Sequence, residues 1–383
     1  MNWIQIELGK LIKIKHGWAF KGDYFSDVGE YVLLSPGNFN NEGGLKLKGE
    51  KEKYYIGDFP EGYLLKKGDV LIVMTDLVNS APMLGGSLRI SEDNKYLHNQ
   101  RLGLIEIIDD EKIDIGFMYH LFNSPYYRGT VRGSASGVTV RHTAPERIYR
   151  INVKIPACKD EQIKIATILK SYDDLIENNL RRIELLEKSA QLLYKEWFVH
   201  LRFPGYEHTK IIDGVPEGWE KKKLGEVILL NYGKSLKAEK RNDGNIPVYG
   251  SSGIVGNHNE AIVKGQGIIV GRKGNAGSVF WSQSDFFSID TTYYVSNEQS
   301  NLFLYYNLKN QNFQSSHGAV PGLNRDSAYA KNIIIPEEKI MNEFLYFTNP
   351  IYQQIYHIEK INSKLIKARD FLLPKLINGE IEV

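Results

Sequence analysis

Apolar residues recur at alternating steps of four and three along the stretch from Gln162 to Phe198. This spacing is typical of a helix that packs along a second long helix, although an ordinary core helix is the alternative for one such stretch. We call the line of positions with this spacing a seam, and Asn179 is the polar residue that interrupts it. The seam positions are Ile165, Leu169, Tyr172, Ile176, Asn179, Ile183, Leu186, Ala190, Leu193 and Trp197.

A second stretch with the same spacing lies at the other end of the chain and supplies a partner. Gln354 is its polar position, and Asn179 and Gln354 are candidates for fixing the helix register, with a partly exposed neutral position as the alternative. We therefore predict two long helices that pair as a coiled-coil spacer. The second seam is Phe344, Phe347, Ile351, Gln354, Ile358, Ile361, Leu365, Ala368 and Leu372.

The chain is an internal duplication. Trp3, Leu8, Gly9, Ile12, Gly17 and Lys21 recur at one constant offset as Trp219, Leu224, Gly225, Ile228, Gly233 and Lys237. Asn152, Ile155, Pro156, Tyr172 and Leu193 recur at a shorter offset as Asn332, Ile335, Pro336, Tyr352 and Leu373. The first copy is therefore longer inside its globular part, and the chain consists of two domain-plus-helix units with pseudo-two-fold symmetry.

Each globular copy mixes strand and helix patterns. Lys-Gly turns precede β-branched runs at 67–73 and 264–270, further strand patterns follow, and helix patterns cover 113–128 and 299–314. The fold class is α+β, with two mixed α/β domains, each followed by a long helix. The expected segments are domain 1 (1–156), helix 1 (157–200), a linker (201–218), domain 2 (219–336) and helix 2 (337–383).

Composition and charge exclude several classes of protein. Charged residues make up 25% and hydrophobic residues 42%, and neither a signal-peptide core nor a membrane-spanning run is present in the sequence. A single cysteine fits a reducing cytoplasm. The net charge of +2 and the slightly acidic helices restrict any nucleic-acid contact to local loops of the globular copies.

Catalytic motifs are absent from the sequence. Gly233-Lys234-Ser235 ends like a phosphate-binding loop, but Ile228 stands where that loop requires glycine. Asn349-Pro350-Ile351-Tyr352 departs from the base-gripping motif of adenine methyltransferases at its third residue. The nine histidines lack metal-ligand spacing. We expect a chain that is not an enzyme and binds neither metal nor cofactor.

The duplicated plan resembles the specificity subunit of Type I restriction–modification enzymes. The resemblance covers essentially the whole chain and is most specific in IPVYGSSGIVG (246–256), IIVGRKGNAGSV (268–279), DTTYYV (290–295) and LLPKLINGEIEV (372–383). It implies a non-catalytic subunit whose two target recognition domains each bind one half of a split double-stranded DNA target. It also implies docking of methyltransferase subunits, two in number, and of restriction subunits, with S-adenosylmethionine and ATP bound by those partners.

Candidate DNA contacts are polar and basic side chains on Gly-rich loops that can enter a groove. For each of them, a solvated turn residue is the alternative. In the second copy they are Tyr249, Ser251, Ser252, His258, Arg272, Lys273, Asn275, Ser315, Ser316, His317, Asn324 and Arg325. In the first copy they are Thr75, Asp76, Asn79, Asn99, Gln100, Arg101, Arg132, Ser134, Ser136, Thr139, Arg141 and His142.

Two other functions remain open from the sequence. One is a specificity subunit for a methyltransferase that has no restriction partner. The other is a protein–protein adaptor whose globular ends bind proteins on either side of a coiled coil. Sequence-dependent, salt-sensitive DNA binding distinguishes the adaptor from the first two.

Overall fold

The computed structural model describes residues 2–41, 43–46, 48–313 and 322–383, and of residue 50 its backbone alone. The chain divides into two compact units. Unit 1 comprises Met1–Glu177 and Ser363–Val383, and unit 2 comprises Asn178–Asn362. The division passes through both long helices, so each unit contains part of each helix.

Unit 1 is built on an antiparallel sheet in the order β2-β10-β6-β8. Its strands are β1 (Trp3–Glu7), β2 (Ile12–His16), β3 (Phe25–Ser26), β4 (Tyr31–Leu33), β5 (Tyr54–Tyr55), β6 (Val70–Val73), β7 (Thr75–Asp76), β8 (Ser87–Arg89), β9 (Tyr96–Leu97), β10 (Leu102–Ile107), β11 (Arg141–His142) and β12 (Asn152–Pro156). Its helices are α1 (Ile115–Asn123), α2 (Pro125–Ser134), α3 (Pro145–Tyr149), the part of α4 (Lys159–Tyr194) up to Glu177 and the end of the C-terminal helix from Ser363 onward.

Unit 2 repeats this plan with the sheet order β16-β22-β19-β20. Its strands are β13 (Ile211–Ile212), β14 (Val215–Pro216), β15 (Glu220–Lys223), β16 (Asn231–Tyr232), β17 (Ile246–Gly250), β18 (Gly253–His258), β19 (Gly267–Gly271), β20 (Val279–Ser282), β21 (Phe287–Ser288), β22 (Thr292–Val295) and β23 (Asn332–Ile335). Its helices are α5 (Leu224–Val227), α6 (Leu302–Asn310), α7 (Arg325–Tyr329), the part of α4 from Asn178 onward and the part of α8 (Glu338–Asn378) up to Asn362.

The duplication predicted from the sequence is confirmed strand by strand. In each unit the first strand pairs antiparallel with the strand that leads into the long helix, β1 with β12 and β15 with β23. A smaller sheet in each unit contains one parallel pair, β4 with β9 and β17 with β21. The mixed α/β fold class is therefore correct for both copies.

The helix predicted over 113–128 is in fact two helices. Asp114 caps α1 by accepting a hydrogen bond from the Phe117 backbone N–H at 2.7 Å. Ser124 then ends α1 and caps α2, and Pro125 occupies the first position of α2. Proline disfavours a helical conformation in the residue before it, which is why α1 stops at this point.

The predicted linker 201–218 contains a short hairpin formed by β13 and β14. Phe203, at its start, is buried with its ring 4.7 Å from that of Trp219. This segment therefore packs against the core of unit 2.

Burial follows the first predicted seam throughout but is shifted from the second on α8. All positions predicted for the first seam are buried or half-buried, including Trp197, which lies just beyond the end of α4. On α8, however, Phe347, Gln354 and Ile361 are exposed. The buried positions of this helix are Ile340, Phe344, Thr348, Tyr352, Ile355, Ile358, Asn362, Leu373, Leu376 and Ile377.

The shift follows from what α8 packs against. Phe344 and Tyr352 belong to the same buried cluster as Leu302 and Phe303 of α6, so this part of α8 covers a domain core as well as α4. A helix that contacts two neighbours buries a wider stripe than a strict heptad seam. The polar partner of Asn179 is consequently Asn362, whose Oδ1 accepts a hydrogen bond from Asn179 Nδ2 at 2.8 Å. The register role expected for Gln354 is wrong.

A charged cluster joins α1, α4 and α8 within unit 1. Arg369 of α8 donates to Asp173 Oδ1 of α4 at 2.9 Å, with side chains 13% and 23% exposed. Burial raises the pKa of Asp173, and the Arg369 guanidinium opposes that rise. His120 of α1 lies 3.9 Å from the same carboxylate. Burial, with Arg369 and Arg89 nearby, lowers the pKa of His120 to about 3, so its imidazole is neutral at physiological pH.

Arg369→Met should destabilise the protein by about 2–3 kcal/mol, because it leaves the Asp173 carboxylate largely buried without its cation. The matched control is Lys170→Met, which removes an exposed ion pair with Asp174 on the same helix and should cost less than about 1 kcal/mol. Urea denaturation followed by circular dichroism measures both. Equal losses in the two variants would contradict a structural role for the buried pair.

The stability of the protein should fall as the pH drops from about 6.5 towards 3. Burial lowers the pKa of His120 in the folded protein well below the ordinary histidine pKa of about 6.5, so its contribution to stability is complete above that pH and is lost as the unfolded chain takes up the proton. His98, with a pKa lowered by burial to about 4, adds to this slope.

His120→Asn should flatten that slope by about 1.4 kcal/mol per pH unit, the value for one proton. Asparagine is the matched substitution, because Asn307 holds the equivalent position of α6. Denaturation midpoints recorded between pH 7 and pH 4 provide the measurement. An unchanged slope would show that His120 is not protonated on unfolding.

Candidate nucleic-acid interface

In unit 2, Arg272 follows β19, and its backbone makes hydrogen bonds to two other segments. The Arg272 backbone N–H donates to the Thr291 carbonyl at 2.8 Å, and the Arg272 carbonyl accepts from the Leu323 N–H at 2.8 Å. We call this three-segment arrangement the backbone junction of unit 2. It fixes where the side chains of Arg272 and of its neighbour Lys273 leave the sheet.

Two guanidinium groups meet one tyrosine ring beside this junction. The Cζ atoms of Arg272 and Arg325 lie 4.9 Å and 5.1 Å from the centre of the Tyr232 ring. Arg272 also donates to the Asp290 carbonyl at 3.0 Å. Burial and the neighbouring Tyr232 raise the pKa of Tyr293, whose hydroxyl donates to the Leu323 carbonyl at 3.1 Å. Cation–π contacts hold both arginine side chains in place, and the hydrogen bond to Asp290 holds Arg272 further.

These side chains line an open cleft of about 370 Å³, which we call the arginine cleft. Three cationic residues and one carboxylate, that of Asp326, face it. A guanidinium offers planar paired donors that suit a phosphate or the O6 and N7 atoms of guanine. The lining residues are Tyr232, Arg272, Lys273, Tyr293, Gly322, Leu323, Asn324, Arg325 and Asp326.

Two predicted polar loops of unit 2 lie against each other. The Asn275 N–H donates to Ser251 Oγ at 3.5 Å, and Ser278 Oγ donates to the Ser251 carbonyl at 2.6 Å. Gly274 adopts a φ of +77°, which the turn between Lys273 and Asn275 requires. Ser252 is exposed beside Ser251. The structure thus brings the predicted residues 251, 252, 273 and 275 into one surface region.

Two predicted residues of unit 2 are corrected. Tyr249 and His258 were expected in an exposed polar loop, but both are buried. The Tyr249 ring packs on Phe286 in a small core cluster, and burial raises its pKa. His258 Nδ1 accepts from the Asn242 N–H at 3.0 Å. The packing of β17 and β18 against the rest of unit 2 buries these side chains, which the Gly-rich spacing did not reveal.

Asn324 has a structural task as well. Its side-chain oxygen caps α7 by accepting from the N–H groups of Asp326 at 2.7 Å and Ser327 at 3.3 Å. The predicted Ser315, Ser316 and His317 lie outside the described residues.

Unit 1 contains the same backbone junction with a different residue at its centre. The Met74 N–H donates to the Arg101 carbonyl at 2.9 Å, and the Met74 carbonyl accepts from the Thr143 N–H at 3.0 Å. Met74 is buried and occupies the place of Arg272. The arginine cleft therefore has no direct counterpart in unit 1.

Predicted residues of unit 1 nevertheless converge at this junction. Thr75 pairs with His142 across β7 and β11, and Thr75 Oγ1 lies 3.0 Å from His142 Nδ1. Ser136 exchanges two backbone hydrogen bonds with His142, at 3.0 Å and 2.9 Å. Gln100 and Arg101 are exposed on the adjoining segment. Hydroxyl, imidazole, amide and guanidinium groups thus share one surface.

Several predicted contacts of unit 1 bind their own backbone instead. Asn99 is buried, and its Oδ1 accepts from the Arg101 N–H at 3.0 Å. Arg141 donates to the carbonyls of Arg132 and Ala135 at 3.0 Å and 3.4 Å. Ser134 was expected in a loop but ends α2, where its hydroxyl donates to the Val131 carbonyl at 3.1 Å. The hydrogen bonds of these three side chains shape the local backbone, and of the three only Asn99 is buried.

The other predicted side chains of unit 1 differ in their surroundings. Asp76 shapes its loop by accepting from the N–H groups of Val78 at 3.0 Å and Met83 at 2.7 Å. Asn79, Arg132 and Thr139 are exposed.

The sequence reasoning missed Tyr232 and Trp18. Tyr232 orients two arginines that are distant in the chain, so no local pattern marks it. Trp18 is 42% exposed and follows Gly17. Alignment of the two copies places Trp18 opposite Lys234, and this difference could have drawn attention to it.

In the part of the chain that the structure describes, no group of His, Cys, Asp and Glu side chains is arranged to hold a metal ion. No helix of the described residues has the length and apolar character needed to cross a membrane.

Comparison with known proteins agrees with this duplicated architecture. The family model of the Type I restriction modification DNA specificity domain matches residues 1–188 and 216–373. The specificity subunit of the Type I restriction enzyme MjaIX of Methanocaldococcus jannaschii is 27% identical over 389 residues, covering 92% of this chain and 84% of that protein. The EcoBI specificity subunit of Escherichia coli is 28% identical, over 45% of this chain and 33% of its own length.

A solved structure shows the same fold across the chain. The crystal structure of the S subunit of a Type I restriction–modification system from M. genitalium superposes with a TM-score of 0.60 at 17% identity, covering 98% of this chain and 96% of that one. The family model matches most of both copies, so the chain belongs to the Type I restriction modification DNA specificity domain family and is a specificity subunit with two such domains.

Proposed function

We propose that each unit of this specificity subunit contacts one half of a bipartite double-stranded DNA target through the surface at its backbone junction. The observation that carries the proposal is the arginine cleft of unit 2. Three cationic side chains against one carboxylate in an exposed cleft suit a polyanion, and the planar donors of the two arginines also suit base edges.

The geometry of the cleft supports base reading as well as phosphate binding. Arg272 and Arg325 both rest against Tyr232, so their guanidinium groups lose little conformational freedom when they bind. Lys273 is exposed at the rim and suits a phosphate contact. Ser251 and Asn275 add neutral hydrogen-bonding groups next to the cations.

Unit 1 presents different chemistry at the same place in its fold. Thr75 and His142 form a side-chain pair, with Ser136, Gln100 and Arg101 close by along the backbone. A glutamine amide suits adenine and an arginine suits guanine. Two domains with unlike side chains at one shared junction fit a target whose halves differ in sequence.

The partners follow from the family. We propose that two methyltransferase subunits, which bind S-adenosylmethionine and methylate adenine, dock on the long helices, and that restriction subunits carrying ATP join them in the cytoplasm. This chain contributes recognition and binds neither cofactor itself. Exposed leucines on α4, namely Leu175, Leu180, Leu185 and Leu192, support protein docking on this helix.

Arg272→Ala and Arg325→Ala should each weaken binding to the cognate DNA by about 1–3 kcal/mol and relax one position in the half-site read by unit 2. The assembled complex is titrated with duplex DNA, and the target is read from adenine methylation across the genome. Lys264→Ala is the control, because Lys264 is an exposed cation of the same unit that pairs with Asp285. Unchanged affinity and target in both arginine variants would refute the role of the cleft.

Tyr232→Leu should weaken the same binding about tenfold or less, because both guanidinium groups lose the ring that orients them. Tyr232→Phe keeps the ring and should retain most of the affinity. Comparing the two variants in the same titration separates ring stacking from the hydroxyl. If Phe and Leu weaken binding equally, the ring does not position the arginines.

A further inference from the structure

We propose that Trp18 is a specificity-determining DNA contact of unit 1, placed where unit 2 carries Lys234. The inference rests on the proposed DNA-reading function and adds that the two units bind their half-sites with different physical forces. Unit 1 uses apolar and neutral hydrogen-bonding contacts at this position, whereas unit 2 uses cations.

Trp18 and Lys234 occupy equivalent positions in the two copies. The Trp18 N–H donates to the His98 carbonyl at 2.9 Å, and the Lys234 N–H donates to the Ser288 carbonyl at 2.9 Å. Each follows the last residue of its strand, β2 or β16, by one glycine. The two residues therefore make the same backbone hydrogen bond and differ in their side chains.

The glycines explain why the position is rigid. A Cβ atom on Gly17 would lie 2.1 Å from the Asn99 carbonyl oxygen, and one on Gly233 would lie 2.0 Å from the Ile289 carbonyl oxygen. Only glycine permits two backbones to approach this closely. The residue that follows each glycine is consequently fixed against the neighbouring segment.

The Trp18 side chain is presented to solvent on a firm support. It is 42% exposed, whereas Trp197 and Trp219 are 7% and 8% exposed. Its ring centre lies 5.5 Å from that of Tyr63. Lys15 Nζ lies 5.0 Å from the centre of the Tyr63 ring and donates to the Gly62 carbonyl at 2.7 Å. Lys15 therefore holds in place the Tyr63 ring on which Trp18 packs.

The neighbours of Trp18 are suited to reading bases. The Gln100 N–H donates to the Trp18 carbonyl at 3.0 Å, and Arg101 comes next in the chain. An indole placed beside amide and guanidinium donors can cover a thymine methyl group or a sugar edge, as apolar side chains do in specific complexes. We therefore assign the exposed Trp18 indole to contact with DNA.

Two further equivalent positions show the same contrast. Arg272 of unit 2 corresponds to Met74 of unit 1 at the centre of the backbone junction. Arg325, the first residue of α7, corresponds to Pro145, the first residue of α3. Tyr149 and Tyr329, which end these helices, accept hydrogen bonds from the N–H groups of Ile14 and Leu230 at 2.9 Å, which confirms the alignment. Unit 2 thus has a cation at all three positions, and unit 1 at none of them.

The experiment uses the full chain assembled with its methyltransferase subunits, titrated with cognate duplex DNA over a series of salt concentrations. Trp18→Ala should weaken binding about tenfold and relax the half-site read by unit 1, with no change in the slope of log K against log salt. Lys234→Ala should lower the magnitude of that slope by about 0.9, the value for one phosphate contact. Trp18→Phe should recover part of the affinity.

Tyr126→Ala is the matched control, because Tyr126 is an exposed aromatic residue of unit 1 that donates to the Asn152 carbonyl and lies outside the proposed surface. Melting temperatures of all variants identify those that lose structure.

If Trp18→Ala binds the unchanged target with wild-type affinity, the inference is wrong while the DNA-reading function of the arginine cleft stands. If Trp18→Ala and Tyr126→Ala weaken binding equally, or if the affinity of the Trp18 variants falls only in step with their melting temperatures, Trp18 is structural and the inference is again wrong. Wild-type binding by Arg272→Ala as well would refute the proposed function itself.

Discussion

Burial of both long helices in each unit is the constraint on which the remaining structure depends. In unit 1, Leu373, Leu376 and Ile377 of α8 lie in the same core as Ile165 and Leu169 of α4. In unit 2, Phe344 and Tyr352 of α8 pack with Ala190 and Tyr194 of α4. Neither core is complete without residues that are distant in the chain, so the helices are part of each recognition domain as well as a connection.

Polar groups then select one arrangement of these apolar surfaces. Burial of leucine and isoleucine is nondirectional and tolerates sliding of one helix along another. Two polar contacts oppose such sliding, namely the hydrogen bond between Asn179 and Asn362 and the ion pair between Asp173 and Arg369. A shifted register would leave these buried polar groups without partners. In unit 2 a further uncharged contact, the bond of 2.8 Å between the hydroxyls of Tyr306 and Tyr352, joins α6 to α8.

The recognition surfaces show how one fold supports two different specificities. The glycine that follows β2 or β16 and the hydrogen bonds of each backbone junction are common to both units, and they fix where side chains emerge. The side chains at those points pack differently in the two units, since Met74 joins the core of unit 1 whereas Arg272 stacks on Tyr232. Tryptophan can stand for lysine, and buried methionine for arginine, while these backbone hydrogen bonds are kept.

The sequence by itself determined the duplication, the α+β class, the two long helices and the family resemblance. These depend on spacing, glycine, proline and apolar periodicity, which are local properties that survive in each copy. It also predicted Arg272, Arg325, Thr75 and His142 as candidates, because exposed polar residues on Gly-rich loops are visible in a linear chain.

Only the tertiary structure decided which side of each element faces inward. Tyr249, His258 and Asn99 stand in polar stretches typical of loops, but their side chains are buried. The buried polar position of α8 is Asn362 and not Gln354, because α8 covers a domain core as well as a helix. The meeting of Arg272 and Arg325 on Tyr232 joins three separate segments of chain. Such contacts arise when sheets and helices pack, and packing depends on residues that are neighbours in space and far apart in the sequence.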